Sequence, residues 1–226
     1  VGVYAISAGN GQPTMLLGEL AGMPMGTGTE RVLFVLFFIA FALKAPMVPF
    51  HTWLPDAAES GTPGTSALLV GVLDKIGTFG MIRFCLELFP GASQWAAPVV
   101  LILALISMIY GALAAIGETD ILRLIAFTSV SHFGFIVIGI FSFTTVSMTG
   151  ATFYMFNHAF STGVLFLAAH FLIQRRGSQK IADYGGVQKL APVLAGVFLL
   201  GGLSSLALPG MSSFVSEFMV IAGSFS

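Results

Sequence analysis

The chain is built from long apolar runs separated by short segments rich in Gly, Pro or charge. A helix needs about 20 apolar residues to cross hydrocarbon. Six runs reach that scale, at 31–51, 64–89, 96–117, 121–143, 147–174 and 192–225, after an opening stretch from Val1 to Ser7 that reads as the tail of a further helix. Lipid offers no partner for backbone N–H and C=O groups, so each run is predicted to be helical and to satisfy its own. The segment from Gly9 to Thr29 mixes Gly, Pro and Thr with scattered Met and Leu, which predicts a surface loop holding a short interfacial helix. The expected fold is an all-α polytopic transmembrane helix bundle. Because the chain opens at Val1 and closes at Phe225-Ser226 inside apolar stretches, it is expected to be a fragment, residues 1–226 forming part of a single membrane domain.

Two runs contain helix breakers. Pro46 and Pro49 follow Lys44 in the first, and Leu208-Pro209-Gly210 precede Glu217 in the last. Proline removes a helical hydrogen bond and clashes with the preceding turn, so both helices are predicted to be discontinuous. Paired interruptions in the two halves of a membrane protein point to inverted repeats with an ion site at the breaks. An ordinary proline kink is the plainer alternative for either one alone.

Composition narrows the class. With 56% hydrophobic and only 8% charged residues, against about 25% charged in a soluble domain, the chain cannot cover itself in water. A net charge of -1 supplies no basic field for nucleic acid. The single cysteine, Cys85, cannot form an intrachain disulfide or a cysteine-ligated zinc or iron–sulfur site with this chain alone. Any electron-carrying cofactor must then sit on a partner. Four of the nine basic residues, Arg175, Arg176, Lys180 and Lys189, share one loop, which is therefore predicted to be cytoplasmic. Counting spans backwards puts the turn of Glu118, Asp120 and Arg123 on the same side, and Arg31 and Arg83 on the other.

Candidate chemistry lies in the few ionisable residues inside the runs. Lys44 lies about thirteen residues into its run, close to mid-bilayer at 1.5 Å of rise per residue. Lys75, His132, His158 and Glu217 fall at similar depth. Each costs several kcal/mol there, so they are expected to face the bundle interior or a hydrated cavity. Burial disfavours the charged form of such groups and eases proton exchange, and histidine exchanges protons near neutrality already. A row of Lys, Lys, His, His and Glu is thus a candidate proton relay, with Thr128, Ser129, Ser131, Ser161 and Thr162 available to hold water.

Alternatives stand beside several of these readings. A single buried histidine also fits an interhelical hydrogen bond. Asp74 could neutralise Lys75, although adjacent helical residues diverge by about 100°. Glu217 could pair with a helix end near Pro209. Asp120 and Arg123 have the spacing of a helical ion pair, and Trp53 suits a headgroup-level anchor.

These residues resemble a known family, the antiporter-like membrane subunits of respiratory complex I, and among them the subunit M branch. The resemblance is carried by Phe41-Ala42-Leu43-Lys44-Ala45-Pro46 running on through Pro49, His51, Trp53, Leu54, Pro55 and Asp56, and by Leu73-Asp74-Lys75 with Gly80 and Arg83. Asp120-Ile121-Leu122-Arg123, Ser131-His132-Phe133-Gly134, Asn157-His158 and Leu208-Pro209-Gly210 to Glu217 complete it. It implies a fourteen-helix protein of two inverted five-helix repeats, each with one broken helix. Lys44 is similar to the lysine of the first broken helix, Lys75 to the connecting lysine, His132 and His158 to the central-axis histidines, and Glu217 to the acid of the second broken helix.

The function so implied is proton translocation by a non-redox subunit of NADH:quinone oxidoreductase in a bacterial cell (inner) membrane. Flavin, iron–sulfur clusters and quinone are expected on partner subunits and no cofactor or metal on this chain. The expected partners are other membrane subunits, the lipid bilayer and protons, with no nucleic acid. One departure is Asp74, where the family pattern calls for an apolar residue. Multisubunit sodium/proton antiporters and membrane-bound hydrogenases share the Lys and Trp-Leu-Pro signals, which keeps a cation/proton antiporter as the alternative. A structural scaffold would instead tolerate loss of every interior charge.

Overall fold

The structure, a computed structural model, describes residues 2–11 and 13–225. The predicted ends at Val1 and Ser226 lie outside the described residues, as does Gln12 of the first loop. All regular elements described are helical apart from one isolated bridge between Asp120 and Lys180. A first helix α1 (Gly2–Gly9) and a single turn α2 (Leu17–Leu20) lead into α3 (Thr27–Lys44) and α4 (Trp53–Ser60). Next comes α5 (Pro63–Leu68), a π-helical turn (Leu69–Leu73), α6 (Lys75–Gly80) and a second π segment (Met81–Leu86). Three long helices follow: α7 (Pro90–Gly117), α8 (Ile121–Phe141) and α9 (Thr145–Arg176). A loop with a 3-10 turn (Ile181–Asp183) and α10 (Val187–Leu190) leads to α11 (Pro192–Ser205) and α12 (Ser212–Ser224).

Among the described residues α7, α8 and α9 are each long and apolar enough to cross a membrane unaided. Small residues let them pack closely, as expected where lipid tails are as apolar as the interface. A Cβ on Gly111 would lie 2.6 Å from the Ser131 nitrogen, and one on Gly134 would lie 2.5 Å from the Ala104 carbonyl. The α7 face with Ala104, Ser107, Gly111 and Ala115 is buried this way, while Ile102, Leu113 and Ile116 on its other side stay exposed. The middle helix α8 is covered along most of its length, so Ser129 is buried and His132 on its flank is half-buried.

The run expected at 31–51 is longer and in two pieces, from Thr27 to Ser60. Its first piece stops at Lys44, because the residue before a proline is pushed out of the helical region. Ala45, which precedes Pro46, is extended at φ -87 and ψ 95. Lys44 is therefore the last residue of α3, at the negative end of the helix dipole, where a cation is favoured. Trp53 closes over this break. Its indole Nε1–H donates to the Leu43 carbonyl over 3.0 Å and satisfies one of the acceptors left open by the break.

The last run breaks between Ser205 and Ser212. Ala207 and Gly210 take positive φ angles of 48 and 97 in this stretch, around Pro209. The 64–89 run is a third departure from regular α-helix, since its two π segments widen the turn, a form often found at functional sites.

One end of the bundle is tied by charge. The ion pair expected between Asp120 and Arg123 does not form. Asp120 instead caps α8, accepting from the Leu122 and Arg123 backbone nitrogens at 2.8 and 3.0 Å, because the free N–H groups of a first helical turn need acceptors. The Arg123 guanidinium pairs with Asp56 at 2.6 Å, Glu59 at 3.1 Å and Glu118 at 3.4 Å. Backbone bonds from Ile121 to Gln179 and from Ile181 to Thr119 bring the basic loop to the same end. Arg31, stacked on Trp95, and Arg83, paired with Glu87, belong to other segments of the chain.

Candidate functional site

The wide turn before α6 prepares the position of Lys75. In regular α-helix the Asp74 nitrogen would bond to Val70, but here it donates to Leu69, five residues back, over 3.0 Å. The Val70 carbonyl accepts from the Lys75 ammonium instead. The same Nζ lies 2.6 Å from His158 Nδ1 on α9 and 5.1 Å from the centre of the Phe133 ring. Two proton arrangements satisfy the Lys75–His158 contact. An ammonium can donate to a neutral imidazole, or a neutral amine can accept from an imidazolium N–H. Their interconversion moves one proton and one positive charge from α6 to α9.

From His158 the polar groups continue across the bundle. The rings of His158 and His132 meet edge to face with centres 5.1 Å apart. Tyr154, one helical turn before His158, lies 5.7 Å from the His132 ring and donates its hydroxyl to Glu217 Oε1 over 2.5 Å. Among the described residues His132 Nδ1 and His158 Nε2 are buried without a hydrogen-bond partner. His132 also borders a cavity of about 390 Å³ shared with Thr128, Ser131, Ser205 and Leu206, at the point where α11 breaks.

Glu217 is placed by tight docking of α12. A Cβ on Gly150 would meet the Val220 nitrogen at 2.8 Å, so the two helices touch through that glycine. Asn157 then holds the first turns of α12, donating to the Ser212 carbonyl at 3.0 Å and to Ser216 Oγ at 3.1 Å. Glu217 pairs with Tyr154 rather than with a helix end near Pro209.

Lys75, His158, His132 and Glu217 are thus brought together, with Tyr154 as a link that hydropathy does not mark. Lys44 is not in that chain. It is half-buried, its Nζ 6.0 Å from the Trp53 ring centre, and no hydrogen bond or ion pair reaches it among the described residues. The helix-breaking residues divide in the same way, Pro46 being buried while Pro49, Pro209 and Gly210 are exposed. Thr128 and Ser129 donate to the Ile125 carbonyl, Ser161 to that of Asn157 and Ser131 to that of Met108, which leaves only the oxygen lone pairs of these hydroxyls to accept a further hydrogen bond. No cluster of three or more metal-ligating side chains occurs among the described residues.

Comparison with known proteins adds independent observations. Residues 2–226 match the family described as NADH:quinone oxidoreductase/Mrp antiporter, TM. The NADH-quinone oxidoreductase subunit M of Mycobacterium tuberculosis is 52% identical over 232 residues, a match covering 100% of this chain and 42% of that protein. Its counterpart in Rickettsia prowazekii is 43% identical over 210 residues, covering 93% of this chain and 42% of that protein. The chain therefore spans less than half the length of these relatives.

Among solved structures, respiratory complex I from Thermus thermophilus with bound NADH contains a chain that superposes with a TM-score of 0.92 at 34% identity. It covers 99% of this chain and 48% of that one. A chain of the Mrp complex from Dietzia gives 0.88 at 28% identity, covering 99% of this chain and 41% of that one.

Proposed function

This chain belongs to the NADH:quinone oxidoreductase/Mrp antiporter transmembrane family, and from that premise we propose that it moves protons across the membrane as an antiporter-like subunit of NADH:quinone oxidoreductase. The observation that carries the reading is the 2.6 Å contact between Lys75 Nζ and His158 Nδ1, two groups able to exchange a proton inside an apolar bundle. Protons enter this scheme at Lys44, beside the first helix break. They continue through Lys75 and His158 to His132 and, by way of Tyr154, to Glu217 near the second break. Both breaks end helix dipoles within reach of Lys44 or Glu217, so a small backbone movement at either would change the field and hydration at the nearest titratable group.

The chain itself carries no redox step in this reading. Flavin, iron–sulfur clusters and quinone belong to partner subunits of the same complex, with other membrane subunits and lipid as its neighbours. A second reading, a sodium/proton antiporter subunit, is favoured by the close superposition on the Mrp complex chain. The two separate cleanly in sealed vesicles holding the purified complex. NADH oxidation that acidifies one side without sodium, in a preparation containing flavin and iron, supports the first. A preparation free of both, whose proton movement requires sodium, supports the second.

A further inference from the structure

Asp74 is fully buried, and neither of its carboxylate oxygens has a hydrogen-bond partner among the described residues. An unpaired carboxylate is among the most costly groups to bury, so its surroundings should explain it. Two faces of the α6 region do so. One leans on the end of α3: a Cβ on Gly77 would lie 2.4 Å from the Ala45 nitrogen and 2.7 Å from the Phe41 carbonyl, so the backbones nearly touch where Lys44 ends its helix. The other leans on α9, where Gly71 approaches the Ala159 carbonyl, Lys75 meets His158, and Thr78 donates to the Met155 sulfur at 2.8 Å. At about 100° per residue, Asp74 points between these two faces, into the wedge between α3 and α9. Its carboxyl feels the charges of Lys75 on its own helix and of Lys44 on α3, while His158 on α9 approaches through Lys75.

We infer that Asp74 is a further proton-transfer residue, which receives a proton from Lys44 and passes it to Lys75. The step balances without a co-reactant. Once a side-chain rotation or a bridging water brings the two groups into hydrogen-bond reach, the Lys44 ammonium gives its proton to the carboxylate, leaving a neutral amine and a carboxylic acid. The acid O–H then protonates the neutral Lys75 amine and the carboxylate returns. This role joins the Lys44 break to the Lys75–His158 contact, which no hydrogen bond among the described residues does. It rests on the relay reading above.

The test uses the assembled full-length complex in sealed vesicles, comparing Asp74→Asn, Asp74→Glu and Lys44→Ala for NADH-driven proton uptake, with assembly followed on native gels. Asp74→Asn is expected to slow uptake about a hundredfold or more, the scale of one positioned proton-transfer group. Asp74→Glu, which keeps a carboxyl, is expected to restore most of it with a displaced pH profile. Infrared difference spectra during turnover should show a carboxylic C=O band in the unmodified complex that Asp74→Asn lacks. Unchanged uptake in Asp74→Asn while Lys44→Ala loses it would overturn the role of Asp74 and leave the relay standing. Slowed uptake with no such band in the unmodified complex would also overturn it, because a carboxylate acting only by its fixed charge never takes the proton. If neither Asp74→Asn nor Lys44→Ala changes uptake, the relay fails and Asp74 with it.

Discussion

Lys75 Nζ and His158 Nδ1 meet at 2.6 Å although 83 positions separate them in the chain, and this contact joins the π-containing helix to the longest helix of the bundle. Removing the imidazole should remove the acceptor while leaving Lys75 bound to the Val70 carbonyl. His158→Ala is expected to lower proton uptake about a hundredfold, the lower end of what a positioned acid or base contributes. Stopped-flow uptake with a pH dye in sealed vesicles measures it.

Tyr154 and Glu217 form the other short polar contact, at 2.5 Å. Tyr154→Phe keeps the ring packed against His132 and Phe135 and removes only the hydroxyl. A hydrogen bond to a charged group contributes about 1.5 kcal/mol, so uptake should slow roughly tenfold while assembly on native gels stays normal.

Gly77 is where α6 and α3 come closest. Its Cβ would overlap the Ala45 nitrogen at 2.4 Å, and backbone cannot move aside as a side chain can. Gly77→Val is expected to destabilise the protein by about 2 kcal/mol or more through overpacking. A thermal melt of the detergent-solubilised protein should show the lowered midpoint.

Arg123 ties α4 to α8, but Asp56 is 73% and Glu59 is 47% exposed at the side chain, so solvent screens both pairs. Arg123→Gln should cost about 1 kcal/mol, and less at high salt. Equilibrium unfolding at two salt concentrations checks both the size and its salt dependence.

Much of the fold was legible in the chain because hydropathy in lipid is a strong constraint: a span must be apolar and helical, and a proline after Ala45 must end it. A charge inside an apolar run is equally visible, which is why Lys44, Lys75 and Glu217 stand out. The partners of those charges are not visible. Tyr154 reads as one more aromatic on an apolar helix, and only the docking of α12 through Gly150 turns it toward Glu217. The slip of the Asp74 hydrogen bond from Val70 to Leu69 changes no residue and leaves no periodicity to detect. The spacing of Asp120 and Arg123 suggested an ion pair because local spacing cannot reveal Asp56 and Glu59, more than sixty residues away. The open N–H groups of the α8 first turn are what single out Asp120 as a cap.

The central claim is that Lys75 passes a proton to His158, and Lys75→Met tests it most directly. Methionine keeps a long unbranched side chain beside Phe133 and removes the titratable nitrogen. In the assembled complex in sealed vesicles, NADH-driven proton uptake per quinone reduced is expected to fall to the background of uncoupled vesicles. Uptake at the unmodified ratio and rate would contradict the account.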